Sequence, residues 1–159
     1  MDINWLLLTF DQLSTRQLYS LLELRCDIFI VEQNCAYPDI DGKDQKAHHL
    51  LGYNRENILV AYLRILAPGV SFKETCIGRV VVKTAYRKGG IGSQLMSTGI
   101  EHCRRLYPDT GIRISAQAHL DDFYKSMGFE KVSDVYIEDG VPHVQMYLSN
   151  LNEGETIED

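Results

Sequence analysis

The sequence predicts an α/β (α+β) protein, a single domain whose mixed central sheet of about seven strands is flanked by about four helices. Three observations carry that prediction. Val80-Val81-Val82 is a strand apolar enough to be covered on both faces. From Ile91 the period changes: Ile91, Leu95, Met96, Ile100 and Cys103 share one helix face. Shorter apolar runs, punctuated by Gly, Pro and Asn, supply the remaining strands on either side of this strand–turn–helix unit.

Taken in order, residues 3–10 read as a first strand. Ser14 is an N-cap, with Gln17 placed for a capping box. The helix behind it carries Leu18, Leu21, Leu22, Arg25 and Phe29 as a stripe and is expected to run to about residue 28. Phe29 to Gln33 fits either the end of that helix or an extended exit. Residues 34–44 form a loop marked by Pro38 and Gly42. Its aspartates, Asp39, Asp41 and Asp44, lack EF-hand spacing and are expected to solvate the turn and cap its backbone. Residues 48–53 and 59–66 form a hairpin around Asn54 to Asn57. Cys76 to Val82 is the next strand, and Gly78 inside it marks a bulge or a close backbone approach.

The helix from Gly90 ends near Leu106, with Arg104 and Arg105 where the helix dipole favours cations. Residues 112–116 alternate as a strand. A short helix from Ala118 to Met127 stops at Gly128. Phe129 to Ile137 is expected to be one strand, and His143 to Leu148 the last. Residues 1–149 form the domain. Residues 150–159 are an acidic tail, expected to be flexible.

Composition narrows the function. At 159 residues the chain can bury a proper core. A net charge of −6 argues against nucleic acid as a partner. No apolar run approaches bilayer length, so no membrane partner is expected, and Trp5-Leu6-Leu7-Leu8 makes a poor signal peptide. The four cysteines, Cys26, Cys35, Cys76 and Cys103, have no C-x-x-C spacing. That reads as a reduced, cytoplasmic setting with thiols used as small apolar fillers. No metal site is expected from these spacings.

The chemistry sits between the valine strand and the helix. Arg87-Lys88-Gly89-Gly90-Ile91-Gly92-Ser93 places three glycines and two cations at a helix start. Glycine lets backbone N–H groups approach a ligand, and the first N–H groups of a helix lack internal partners. Together they make a phosphate socket. A plain connecting turn would not need cations at the positive end of a helix dipole. The segment is neither a P-loop nor a G-x-G-x-x-G fingerprint.

Arg87-Lys88-Gly89-Gly90-Ile91-Gly92 resembles the R-x-x-G-x-G pyrophosphate loop of the GNAT (Gcn5-related) N-acetyltransferases. Tyr124-Lys125-Ser126-Met127-Gly128-Phe129 resembles the ending of their last helix. Further segments are similar to the ElaA-type branch: Arg25 with Val31-Glu32-Gln33, Tyr37-Pro38, Asp41-Gly42, His49-Leu50, Gly78-Arg79-Val80-Val81, residues 115–120 and residues 138–143. The resemblance spans residues 3–148.

It implies the acyl-CoA N-acyltransferase fold and an acetyl-coenzyme A-dependent transfer of acetyl to a primary amine, of a small molecule or a protein. Arg87 to Ser93 would hold the pyrophosphate and the main chain of Val80, Val81 and Val82 the pantetheine arm. Gln117 would touch the cofactor where many relatives have asparagine. Tyr124 would be the general acid, near the coenzyme sulfur. The family's glutamate in the strand before the loop is missing here. The general base is therefore sought among His119, at the start of the Tyr124 helix, His49, His143 and Glu32. The last three are also the acceptor-binding candidates. Glu32, Asp41, Asp44, Glu138 and Asp139 could favour a cationic acceptor. Relatives are often dimers, which leaves a homodimer open. A non-catalytic acyl-CoA sensor is the alternative reading.

Overall fold

A computed structural model describes residues 2–150. The acidic tail beyond Asn150 lies outside the described residues. Among the described residues, eight strands and three α-helices follow in the order β1 (Asn4–Thr9), α1 (Thr15–Arg25), β2 (His48–Tyr53), β3 (Leu59–Leu66), β4 (Thr75–Val82), α2 (Ile91–Leu106), β5 (Ile112–Gln117), α3 (Asp121–Ser126), β6 (Glu130–Lys131), β7 (Tyr136–Glu138) and β8 (Val141–Leu148). The sheet runs β1-β2-β3-β4-β5-β8-β6, with β7 also on β8. Every pairing is antiparallel except β4 with β5.

Each face of the sheet has its own helices. Leu21, Leu24 and Ile28 from the α1 segment pack on Leu51, Leu59, Tyr62 and Val81. The opposite face buries Leu50, Val60, Leu63, Ile77, Ile112, Ile114 and Ala116 under Ile91, Leu95, Met96 and Ile100 of α2 and Tyr124 of α3. Each fully buried aliphatic side chain contributes about 1.5–3 kcal/mol. A Cβ on Gly99 would come within 2.7 Å of Leu63 Cδ2, so glycine lets α2 lie close on the sheet.

Most expected elements are present. The capping box closes α1: Gln17 N–H donates to Ser14 Oγ (3.1 Å), and Ser14 N–H to Gln17 Oε1 (2.8 Å). Three differences have physical causes. The α1 helix passes at Cys26 into a π-helical segment through Glu32, so residues 29–32 are its helical end, widened, and not an extended exit. Its wider turn is visible in Gln33 N–H donating to the Ile28 carbonyl (3.1 Å) and Cys35 N–H to that of Ile30 (3.0 Å). The bulge in β4 falls one residue after Gly78. Arg79 (φ 51°) and Val80 together oppose the single residue Leu63, between the pairs Arg64↔Gly78 and Tyr62↔Val81. The expected strand 129–137 is two short strands, β6 and β7. Ser133 interrupts it by accepting the Gln145 N–H on its hydroxyl (2.9 Å).

The loop aspartates depart most from expectation. They do not merely solvate a turn; they are consumed by three arginines. Arg25, fully buried, donates to Asp39 Oδ2 (2.9 Å) and Asp44 Oδ1 (2.8 Å). Arg64 makes a two-pronged contact with Asp41 (both 2.8 Å) and reaches Asp44 (3.1 Å). Arg79 pairs with Asp39 (2.9 Å) and Asp41 (3.3 Å). Burial alone would raise the carboxyl pKa values of Asp41 and Asp44, but their arginine partners outweigh it and hold both below the ordinary range.

Two outcomes follow from the network. Arg25→Ala leaves Asp39 and Asp44 short of a partner and should cost about 3–5 kcal/mol in denaturant unfolding; a loss below about 1 kcal/mol would contradict the network's role. Because the folded-state pKa values of Asp41 and Asp44 are depressed, their contribution is present above about pH 4 and is lost as pH falls further. Stability should therefore drop with acidification below about pH 4, and Asp41→Asn should show a shallower drop from a lower starting value.

Candidate active site

The parting of β4 from β5 creates the site. The two strands pair at Thr75↔Ile112 and Cys76↔Arg113 and then separate. The bulge at Arg79 bends β4 at this point. Along the rest of β4, Val81 is buried on the α1 side, while Val80 and Val82 are half-buried against the opposite cluster. Val82 to Ser93 then turns back to start α2.

That turn gathers the groups an anion cradle needs. Gly90, the N-cap of α2, takes φ 78° and has no side chain with which to cap the helix. The first helical bond at this end runs from Gln94 N–H to the Gly90 carbonyl (3.1 Å), which leaves the N–H groups of Ile91, Gly92 and Ser93 without helical partners. A pocket of about 240 Å³ lies over them, lined by Val82, Arg87, Lys88, Gly90, Gly92, Ser93 and Phe123. A Cβ on Gly92 would meet nothing closer than Phe123 Cζ (3.8 Å) and Val82 Cγ2 (3.9 Å). The protein itself would tolerate a side chain there. Gly89, beside it, is also open, and Lys88 holds φ 76°.

Arg87 is anchored rather than loose. Its Nε donates to the Val82 carbonyl (3.1 Å) and its Nη2 to Glu32 Oε2 (2.8 Å). Thr84 Oγ1 donates to the other oxygen of Glu32 (2.7 Å). Hydrogen bonds from Arg87 and Thr84 lower the Glu32 pKa. Glu32, expected near the acceptor, thus contacts the loop before α2, brought to Thr84 and Arg87 at the end of the π-helical turn. Sequence reasoning missed this contact and the role of Phe123 as pocket wall.

Tyr124 is buried in α3, with edge-on contacts to Phe123 (5.2 Å) and Phe129 (6.0 Å). Burial pushes its hydroxyl up to about 12, so it stays protonated near neutrality. Gln117 ends β5 and donates to Gln33 Oε1 (3.2 Å), bridging the sheet to the end of the α1 segment.

The histidines do not converge. His119 is exposed in a short 3-10 turn at 118–120. His49 is fully buried beneath the arginine–aspartate network. Its Nε2 lies 2.9 Å from the Asp44 carbonyl and its Nδ1 2.7 Å from the Tyr62 hydroxyl. A carbonyl only accepts, so Nε2 carries the proton and Nδ1 accepts from Tyr62. Burial keeps this ring neutral, and it meets no solvent from which an acceptor could arrive. His143 lies on β8 directly opposite Gln117, on the α1 side of the sheet. Asp41 and Asp44, expected from the sequence to favour a cationic acceptor, are paired with arginines. The thiols of Cys76 and Cys103 are pushed up to about 11 and about 12 by burial, which suits their filler role.

This geometry has close relatives. Residues 24–150 match the acetyltransferase (GNAT) domain family. Protein ElaA of Escherichia coli is 48% identical over 146 residues, covering 91% of this chain and 95% of that protein. The crystal structure of Escherichia coli ElaA superposes with a TM-score of 0.87 at 47% identity, over 93% of this chain and 100% of that one. An acyl-CoA N-acyltransferase from Pseudomonas aeruginosa gives 0.88 at 40% identity, over the same shares. An aminoglycoside 6′-N-acetyltransferase complexed with coenzyme A shares the fold, with a TM-score of 0.67 at 14% identity over 91% of this chain and 96% of that one.

Gly92→Ala tests the cradle. Alanine favours the helix and meets only ordinary contacts, so thermal stability should hold or rise by up to about 1 kcal/mol. Coenzyme A affinity, read by calorimetry, should fall at least about tenfold. Unchanged affinity would place the diphosphate elsewhere.

Proposed function

The chain belongs to the GNAT acetyltransferase family, in its ElaA-type branch, and from that premise we propose that it is an acetyl-coenzyme A-dependent N-acetyltransferase acting on a primary amine. The observation that carries this reading is the α2 cradle, with three bare N–H groups, two cations and room kept by Gly92, opening beside the parted strands. A diphosphate fits it in charge and in hydrogen-bonding sense.

In this reading the backbone from Arg87 to Ser93 holds the diphosphate, and Glu32 with Thr84 keeps Arg87 in place. The main chain of Val80 to Val82, on the edge that β5 has left, pairs with the pantetheine arm. A β4 N–H there is positioned to donate to the thioester oxygen as it gains charge. Gln117 borders the same opening. The bound cosubstrate supplies an activated acetyl group as a thioester. Tyr124, kept protonated by burial, gives its proton to the departing sulfur.

The direct assay is coenzyme A release from acetyl-coenzyme A across a panel of small amines and peptides. Acceptor-dependent release is the expected result; binding without release for every amine would oppose it. Tyr124→Phe should lower kcat about 10²-fold or more, with little change in cofactor affinity. An unaltered kcat would remove Tyr124 from the mechanism.

A further inference from the structure

On the α1 face of the sheet, beyond the strand opening, is a second group of polar side chains that, Gln117 apart, the cofactor reading leaves unused. Antiparallel pairing puts Gln117 opposite His143 and Tyr136 opposite His143 on its other side. Ser115 and Glu138, two residues from Gln117 and Tyr136 along β5 and β7, share that face. The Ser115 and Tyr136 hydroxyls are hydrogen-bonded, and Ser115 Oγ also donates to Glu138 Oε2 (3.3 Å). The Tyr136 ring stacks on the His143 imidazole (6.3 Å between centroids, 27° between planes). Gln33 and Cys35 close the group from the end of the α1 segment, through Gln33 to Gln117 and Cys35 Sγ to the Asp139 carbonyl (3.3 Å).

The hydrogen bonds fix the His143 tautomer. Its Nδ1 lies 2.7 Å from the Val141 carbonyl, which can only accept. Nδ1 therefore carries the proton, and the neutral ring presents a lone pair at Nε2. That nitrogen is 3.6 Å from Glu138 Oε2, too far for a hydrogen bond. In the neutral ring, Nε2 and Glu138 Oε2 are two acceptors facing each other. An alkylammonium group supplies what is missing: it can donate to both and is attracted by the carboxylate. Among the described residues, His119 has no such partner to set its tautomer.

We propose that this group is the acceptor subsite, that it selects a cationic primary amine through Glu138, and that His143 Nε2 is the general base. The inference rests on the acetyltransferase reading above. The acceptor ammonium gives one proton to Nε2, leaving a neutral amine and an imidazolium that Glu138 stabilises. The amine nitrogen bonds to the acetyl carbon as the carbon–sulfur bond breaks and the sulfur takes the Tyr124 proton; the second amine proton of the new amide returns through solvent to the Tyr124 oxygen, and His143 releases its proton to solvent.

The test uses the whole protein with coenzyme A and 1,4-diaminobutane as the probe amine. Nitrogen-15 NMR of the imidazoles should show His143 as the Nδ1–H tautomer, with its Nε2 signal shifting as diamine is added while that of exposed His119 stays in place. A His143 Nε2–H tautomer, or an Nε2 signal that ignores the diamine, overturns the proposal. With the best amine of the release panel, His143→Gln should lower kcat at least about 100-fold while coenzyme A affinity stays within twofold. Glu138→Gln, on an exposed side chain, should raise KM for that amine about tenfold with kcat largely kept. If both variants turn over like the parent, the subsite fails while the acetyltransferase reading stands. If the parent binds no coenzyme A, the earlier reading itself has failed.

Discussion

The structure depends on β4 leaving β5 after two paired positions. A continuous pairing would close the sheet and leave no route between its faces. The bulge at Arg79 and Val80 bends β4 away, and it requires Arg79 to hold a left-handed backbone that costs a side-chain-bearing residue about 1–2 kcal/mol. The arginine side chain offsets that cost. It pairs with Asp39 and Asp41, donates to the Asp39 carbonyl (3.0 Å), and lies over the Tyr37 ring (5.5 Å). The arginine–aspartate network therefore fixes both the 34–44 loop and the bend that opens the sheet.

The two faces then take different chemistry. On the α2 and α3 side the opening meets bare helix N–H groups, Arg87 and Lys88, a setting for a polyanion. On the α1 side it meets Ser115, Gln117, Tyr136, Glu138 and His143, a setting for a cation that must lose a proton. The π-helical end of α1 serves both. Glu32 from it anchors Arg87, and Gln33, the next residue, reaches Gln117. Widening the helix at Cys26 brings adjacent residues to different partners without a separate loop.

Much of this was legible in the sequence. Period changes located β4 and α2, and the glycine–cation run located the cradle, because those signals are local. The capping box at Ser14 was legible for the same reason. The arginine–aspartate network was not: its partners are 14 to 40 residues apart, and an aspartate in a Pro- and Gly-marked loop looks solvated until the fold brings an arginine to it. In the sequence Glu32 is an acceptor or base candidate; a helix end does not reveal the π turn that brings it to Thr84 and Arg87. His49 looked equivalent to His143 in sequence. Only the pairing of β2 with β3, which sets it beside Tyr62 and the Asp44 carbonyl, distinguishes it from His143, which pairs opposite Gln117 on β5.

The central claim is that backbone N–H groups at the start of α2 hold a diphosphate. Calorimetric titration with acetyl-coenzyme A and, separately, with acetyl-pantetheine, which keeps the thioester arm but lacks the diphosphate and nucleotide, tests it most directly. Acetyl-coenzyme A should bind at least about 100-fold more tightly, and the difference should narrow as salt screens the charges. Equal affinity for the two ligands, insensitive to salt, would contradict it.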